Sequence, residues 1–345
     1  MVGTKTRIVI AGAGSIGCYA GGCLALAGRS VRFLCRPKIE AMLRTGGLRV
    51  TDLDSRDARL DAAELSATAD PGEALADAGV ILVTVKSGAT DEMARLIAVH
   101  APADAVVVSL QNGVDNAGRL QSLLDGRQVL AGMVPFNVVQ ASEPDGLHVH
   151  RATEGTVLIE DRVPGLAELL DVEGLAVETH GAMPGVLWGK LLLNLNNALV
   201  ALSDLPLAAQ LADRRWRVIL ARQIEEALAV LKAASIVPGR IGWLRPALLP
   251  TVLRLPDWLF RLVARRMLMV DPQARSSMWE DLERGRPTEI DEFQGKILRV
   301  AQDTGAPAPL TARLERLVRE AEATGTGSPQ LSPEAVLDEE AACRI

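Results

Sequence analysis

Along the first half of the chain, short β-branched runs alternate with stretches of helical spacing. Arg7–Ala11 (RIVIA), Val31–Cys35 (VRFLC), Val80–Val85 (VILVTV) and Ala105–Leu110 (AVVVSL) are almost continuously apolar. That is the pattern of strands buried on both faces in a parallel sheet covered by helices. Between them, Ser15–Ala27 reads as a helix of small residues closed by Gly28, and Asp91–His100 carries helical periodicity. The alternation predicts a doubly wound α/β domain. Thr153–Glu160 and Ala176–Glu178 read as late strands of the same domain. Near Pro184 the texture changes. From Val186 onward apolar residues recur at helical spacing, in Leu187–Leu202, Trp216–Ala234 and Glu289–Thr304. The predicted organisation is an α/β domain over residues 1–184, a mostly helical domain over 185–323, and a loose tail over 324–345 punctuated by Gly and Pro.

Composition narrows the class. A chain of 345 residues is too long for one typical core and suits two domains. With 48% hydrophobic and 23% charged residues it reads as a globular protein, and with only 3% aromatics its cores must be aliphatic. A net charge of −6 argues against a nucleic-acid partner, which would demand clustered cations. The basic clusters Arg214–Arg217 and Arg261–Arg266 read as solvated helix faces. Cys18, Cys23, Cys35 and Cys343 lack Cys-x-x-Cys spacing and nearby histidines, so buried free thiols are expected rather than a zinc site or a disulfide framework. His148 and His150 would share one strand face, but two ligands fall short of a metal site, and no metal is expected. The apolar stretch Leu244–Val270 is broken by Arg245, Pro246, Pro250, Arg254, Pro256 and Asp257, so it does not read as a membrane span. With no leader apparent in Met1–Ile10, a cytoplasmic protein with no membrane partner is expected.

The candidate chemistry begins at the first strand. Gly12-Ala13-Gly14-Ser15-Ile16-Gly17 is a G-x-G-x-x-G placed between a predicted strand and a predicted helix. Gly12 allows the tight turn, Gly14 lets a pyrophosphate approach the backbone, and Gly17 lets helix and strand pack closely. The phosphates would meet the amide donors and positive end of the helix. These six residues are therefore candidate cofactor ligands, and the domain reads as Rossmann-type. The second strand ends in Cys35-Arg36-Pro37-Lys38 with no acid. An NAD enzyme usually places a carboxylate there for the ribose hydroxyls, whereas Arg36 would pair with a 2′-phosphate, so NADP(H) is expected. Lys86 follows VILVTV and Gln111-Asn112-Gly113 follows VVVSL. Both lie where open α/β sheets bind ligands, which makes Lys86 and Asn112 candidates as well.

In the second half, Trp188–Asn197 reads as an apolar helix carrying Lys190 and Asn194 on one face, four residues apart. A lysine among Leu191, Leu192, Leu193 and Leu195 either snorkels to the surface or lines a cleft, where partial desolvation would lower its pKa toward that of a useful proton donor. Further on, Ser276-Ser277-Met278 precedes Thr288-Glu289-Ile290-Asp291. Ser276 or Ser277 could cap one helix and Thr288 the next, with Asp291 in the capping-box position.

Taken together, Gly12-x-Gly14-x-x-Gly17, Arg36, Val85-Lys86, Asn112-Gly113, Lys190-x-x-x-Asn194, Ser276-Ser277-Met278 and Thr288-Glu289-Ile290-Asp291 resemble the ketopantoate reductase (2-dehydropantoate 2-reductase) family over roughly residues 7 to 315. The resemblance implies NADPH-dependent reduction of a 2-oxo acid to a 2-hydroxy acid. It makes Lys190 the general acid and Glu289 a hydrogen-bond partner of a substrate hydroxyl. Asn194 and Ser277 would hold substrate, with the neighbouring Asn197 as a further candidate, and Lys86 and Asn112 would face the cofactor or reacting centre. Ala198 and Ala274 stand where members acting on ketopantoate usually carry asparagines, and the stretch from Gly239 to Asp271 is extra length. Two alternatives stay open: a related dehydrogenase for another 2-oxo acid or an opine-like substrate, and an NADP(H)-binding sensor without turnover. A homodimer is the expected assembly.

Overall fold

The computed structural model describes residue 3 and residues 5–144, 146–240, 245–264 and 274–337. The chain divides into two compact units, Met1–Met183 and Pro184–Ile345.

The first unit begins β1 (Ile8–Ala11), α1 (Ser15–Leu26), β2 (Val31–Leu34), α2 (Pro37–Gly46), β3 (Leu48–Asp52), β4 (Asp57–Leu60), β5 (Ala67–Thr68) and α3 (Pro71–Leu75). It continues through β6 (Val80–Val83), α4 (Thr90–His100), β7 (Val106–Ser109), α5 (Asn116–Leu123), β8 (Val129–Met133), β9 (Val138–Glu143) and β10 (Gly146–Arg151). It closes with β11 (Val157–Glu160), α6 (Leu166–Leu170) and β12 (Val177–His180). Eight strands form one sheet in the order β12-β11-β8-β7-β6-β1-β2-β5, parallel except where β11 meets β8. All four residues of β1 are buried. Their side chains alternate between two cores, Ile8 and Ile10 joining Leu82 and Val108 on one face, Val9 joining Ile81, Val83 and Val107 on the other. Period-two alternation into two hydrophobic layers is why these runs are apolar throughout. The direction of winding reverses between β1 and β6, so the loops after these strands flank the switch point where open α/β sheets bind ligands.

A second sheet, in the order β4-β3-β10-β9, was not expected from the sequence. It explains the composition of α1. A Cβ on Gly21 would lie 2.4 Å from the Phe33 ring on the main sheet, and one on Gly22 would lie 2.7 Å from Val50 on the second. The helix is packed between two sheets, and at these two positions neither sheet leaves room for a side chain. On the outer face of the second sheet, Thr51 Oγ1 lies 2.8 Å from His148 Nε2 and 2.8 Å from His150 Nδ1. The two histidines do share a strand face, and a hydroxyl joins them.

The second unit starts with α7 (Met183–Asn194) and α8 (Asn196–Ser203), separated by a break at Leu195. The run Met183–Ser203 is long and apolar enough to cross a membrane by composition, yet 67% of its most apolar window is buried inside the protein. Then follow α9 (Leu207–Ala212), α10 (Arg214–Ala233), α11 (Leu249–Leu253), α12 (Asp257–Val263), α13 (Ser277–Glu283), α14 (Gln294–Thr304), α15 (Pro309–Thr324) and α16 (Pro333–Leu337). Two expectations are corrected here. Arg217 does not belong to a solvated face. It is fully buried, and its guanidinium donates to the carbonyls of Leu211, Ala212, Leu253 and Leu255 and to Asp257, 4.3 Å from the Phe260 ring centroid. It thereby fastens α11 and α12, two helices of the extra length, to α10; a guanidinium is buried only where its donors are met. Nor is the segment after Thr324 loose as far as Leu337. Ser328 Oγ donates to the Ala201 carbonyl, Leu331 N–H to Leu202, and Val336 is fully buried beside Arg313, which donates to the Ala335 and Val336 carbonyls. Cys343 and the remainder of the tail lie outside the described residues, as do residues 241–244 and 265–271 of the extra segment.

Candidate active site

In the first unit the glycine loop is shaped by close approach. Gly12 has φ +113°, a conformation side chains resist, and a Cβ there would meet Val85 at 2.7 Å. A Cβ on Gly17 would sit 2.1 Å from the Gly12 carbonyl oxygen and 2.6 Å from Thr84 Oγ1. Thr84 in turn donates to the Gly12 carbonyl at 2.5 Å, tying the β1 loop to the β6 loop. Gly14 differs: a Cβ on it would meet nothing within 4 Å. It occupies the N-cap of α1, which has no side-chain cap and no acid in its first turn. The leading N–H groups of Ser15, Ile16 and Gly17 therefore have no side-chain acceptor, the arrangement an anion requires. Ala13 is buried beneath the turn, its carbonyl accepting from the Cys18 thiol.

Arg36 lies two residues beyond Leu34, whose carbonyl accepts from Gly12 N–H. It is exposed, and no hydrogen bond or ion pair engages its guanidinium among the described residues. The carboxylate in the first turn of α2, Glu40, is occupied by Arg44 at 2.9 Å and by the Ala69 N–H at 3.1 Å. A cation therefore stands where a nucleotide's adenosine ribose would lie, with no competing free acid beside it among the described residues. These features fit a dinucleotide of the NAD(P) type.

Lys86 is exposed immediately before a 3-10 turn over Ser87–Ala89, and Asn112 lies in the loop after β7. Sequence reasoning missed what lies beneath these loops, a set of buried polar side chains: Ser87, Thr90, Ser109, Gln111 and Asn116. Polar residues placed straight after fully buried strand runs were the available signal, since burial obliges them to find partners.

In the second unit Lys190 and Asn194 lie on one face of α7. Dense packing around Lys190 pushes its ammonium down to about 8. Asn194 is buried, yet its amide has no hydrogen-bond partner among the described residues. Ser276, rather than Ser277, is the cap of α13: it accepts from Trp279 N–H and donates to the Asn197 carbonyl at 3.0 Å. That bond docks the start of α13 on α8, leaving Ser277 exposed beside it. Asn196 is committed elsewhere, in a reciprocal pair with buried Gln210. Thr288 Oγ1 accepts from Ile290 N–H, but the expected capping box does not form, because the Asp291 carboxylate pairs with Arg319 at 2.6 Å. Glu289 is half-buried ahead of a 3-10 turn, Ile290–Glu292. Fully buried Gln294 donates to the Leu195 carbonyl, which holds the segment after Glu289 against the α7–α8 break.

The glycine loop at a switch point and the helical second unit define a two-unit α/β oxidoreductase of dinucleotide-binding type. Residues 8–163 match the family model of ketopantoate reductase PanE/ApbA, and residues 183–322 match that of its C-terminal part. A 2-dehydropantoate 2-reductase of Archaeoglobus fulgidus is 30% identical, covering 91% of this chain and 97% of that protein. A PanE/ApbA family ketopantoate reductase structure from Ralstonia eutropha JMP134 is similar with TM-score 0.77 and 32% identity, over 93% of this chain and 99% of that one. A D-mandelate dehydrogenase solved with NADH and anilino(oxo)acetate shares the fold, with TM-score 0.74 at 20% identity over 93% and 99%. The chain belongs to the ketopantoate reductase family and is an NAD(P)-dependent oxidoreductase.

Proposed function

We propose that this chain uses NADPH to reduce a 2-oxo acid to the 2-hydroxy acid, with 2-dehydropantoate as substrate and pantoate as product. The observation that carries the reading is Lys190, an ammonium lowered to about 8 by burial and sharing a helix face with the unpartnered amide of Asn194. The nicotinamide, when bound, supplies the hydride. Lys190 donates the proton to the ketone oxygen and stabilises the negative charge that builds there. A pKa near the working pH lets the same group give its proton and recover it from solvent. Asn194, with Asn197 and Ser277 on the joined α8 and α13, offers hydrogen bonds to orient the acid, and Glu289 accepts from a substrate hydroxyl. Gly12 to Gly17 receive the pyrophosphate, and Arg36 pairs with the 2′-phosphate. Lys86 and Asn112 face the cofactor and the reacting carbonyl, with Asn112 also touching substrate. Such an activity would serve pantothenate biosynthesis, in a cytoplasmic setting.

The test is oxidation of NADPH by the purified protein with 2-dehydropantoate, a panel of branched 2-oxo acids, and NADH in place of NADPH. Turnover with 2-dehydropantoate and a strong preference for NADPH is the expected result. Turnover only with another 2-oxo acid would overturn the substrate, and equal use of NADH would overturn the role of Arg36.

A further inference from the structure

The buried polar residues under the β6 and β7 loops form a closed circuit. Ser109 Oγ donates to Gln111 Oε1 at 3.1 Å. Gln111 Nε2 donates to the Val85 carbonyl at 3.0 Å and to Thr90 Oγ1 at 2.8 Å. Thr90 donates its hydroxyl hydrogen to Asn116 Oδ1 at 3.0 Å. Asn116 Nδ2 donates to Ser87 Oγ at 2.8 Å and to the Asn112 carbonyl at 2.5 Å, and Ser87 Oγ donates to the same carbonyl at 3.3 Å. Each hydrogen on the two amides and three hydroxyls has an acceptor, so the direction of every bond is fixed. The five side chains are at most 7% exposed.

The bonds cross between loops. Gln111, from the β7 loop, holds the carbonyl of the residue just before Lys86; Ser87, from the β6 loop, holds the carbonyl of Asn112 itself. Among the described residues Thr90 links Gln111 to Asn116, and it uses its hydroxyl in both senses, accepting from one and donating to the other. Loops at a switch point are ordinarily independent and mobile. Here neither backbone can shift without stranding buried donors of the other, which is strongly disfavoured in a low-dielectric interior.

We infer that Thr90, with Gln111 and Asn116, is a positioning device that locks the Lys86 and Asn112 loops into one unit, so that both present to the dinucleotide together. The inference rests on the proposed function for what the loops bind, but not for the coupling itself.

Two measurements separate these dependencies. The first is amide hydrogen exchange in the wild type and in Thr90→Val, which keeps the shape and removes the hydroxyl. Exchange is expected to accelerate over residues 84–90 and 110–116 together, by about tenfold, while the Gly12–Gly17 loop is unchanged, and Thr90→Ser is expected to restore both segments. Acceleration confined to residues 84–90, or spread over the whole unit as general destabilisation, would overturn the coupling. The second is the dissociation constant for NADPH, read by fluorescence well below the melting temperature. It is expected to rise about tenfold in Thr90→Val (about 1.4 kcal/mol) and to return within about twofold in Thr90→Ser. An unchanged constant alongside coupled exchange would overturn the positioning role alone, whereas absence of NADPH binding in the wild type would overturn the proposed function and leave the exchange result standing.

Discussion

Under the proposed mechanism, Lys190 sets chemistry against stability. Its ammonium titrates at about 8 in the fold against 10.5 in an unfolded chain. Between those values the unfolded state binds more protons, so this group's contribution makes stability rise with pH through that window; below about 8 both states are charged and the burial penalty is carried in full. Lys190→Met is therefore expected to raise unfolding free energy at pH 7 by on the order of 1–3 kcal/mol in urea titrations, and to lower turnover by roughly 10²–10⁴. In the wild type the rate of reduction should fall as pH rises past about 8. A variant that keeps its turnover would remove Lys190 from the mechanism. Arg36 acts on a different quantity. A charge-assisted bidentate contact contributes about 1.5–3 kcal/mol, so Arg36→Ala should raise KM for NADPH by about 10- to 100-fold and leave KM for NADH nearly unchanged. Steady-state kinetics with the two cofactors decides it.

At the scale of elements, the glycines of the β1–α1 turn separate into those the fold needs and one, Gly14, that it does not. Gly17→Ala drives a Cβ to 2.1 Å from the Gly12 carbonyl, where backbone must shift, and should cost at least about 1–3 kcal/mol. Gly14→Ala meets open space at an ordinary φ of −82°. Its melting temperature should stay within about 1 °C of wild type, while NADPH affinity falls. Thermal melts with and without dinucleotide distinguish the two, and equal loss of stability in both variants would refute this division. Much of this was legible: the apolar runs located every strand around the switch point, and the spacing of the glycines located the turn. The second sheet was not legible because its strands come from two distant segments, Leu48–Leu60 and Val138–Arg151, which pair only in three dimensions. Its inward residues, Leu48, Val50, Leu147 and Val149, do alternate with polar ones, and that was the overlooked trace.

Over the whole molecule, the sequence separated an α/β half from a helical half, and the residue types it singled out recur at strand ends and on α7. What escaped it were polar side chains that serve the fold. Arg217 looked like one member of a basic cluster, although Leu220, Ala221 and Ile224 place it on the buried stripe of α10. Gln111 reads along the chain only as part of the loop after VVVSL, and nothing in the sequence singles out Asn116, because a turn and a buried circuit use the same side chains. Both cases share a cause. Charge and polarity are read along the chain, whereas satisfaction of a buried group depends on partners brought from elsewhere, as the carbonyls of Leu253 and Leu255 are brought to Arg217.

The three thiols of the first unit have a use of their own. Cys18, Cys23 and Cys35 are buried, and burial raises each, Cys23 and Cys35 to about 11 and Cys18 further. Only a thiolate reacts with an alkylating reagent, so at neutral pH these sulfurs should be silent until the β1–α1–β2 region opens. In a Cys343→Ser background their labelling becomes a clock for that opening. A dinucleotide that binds only the closed form must slow the clock by the factor 1 + [L]/Kd. Iodoacetamide and a mass spectrometer would then rank NADPH against NADH with no substrate in the tube, and labelling that ran at the same rate with saturating dinucleotide would mean that these strands open without releasing it.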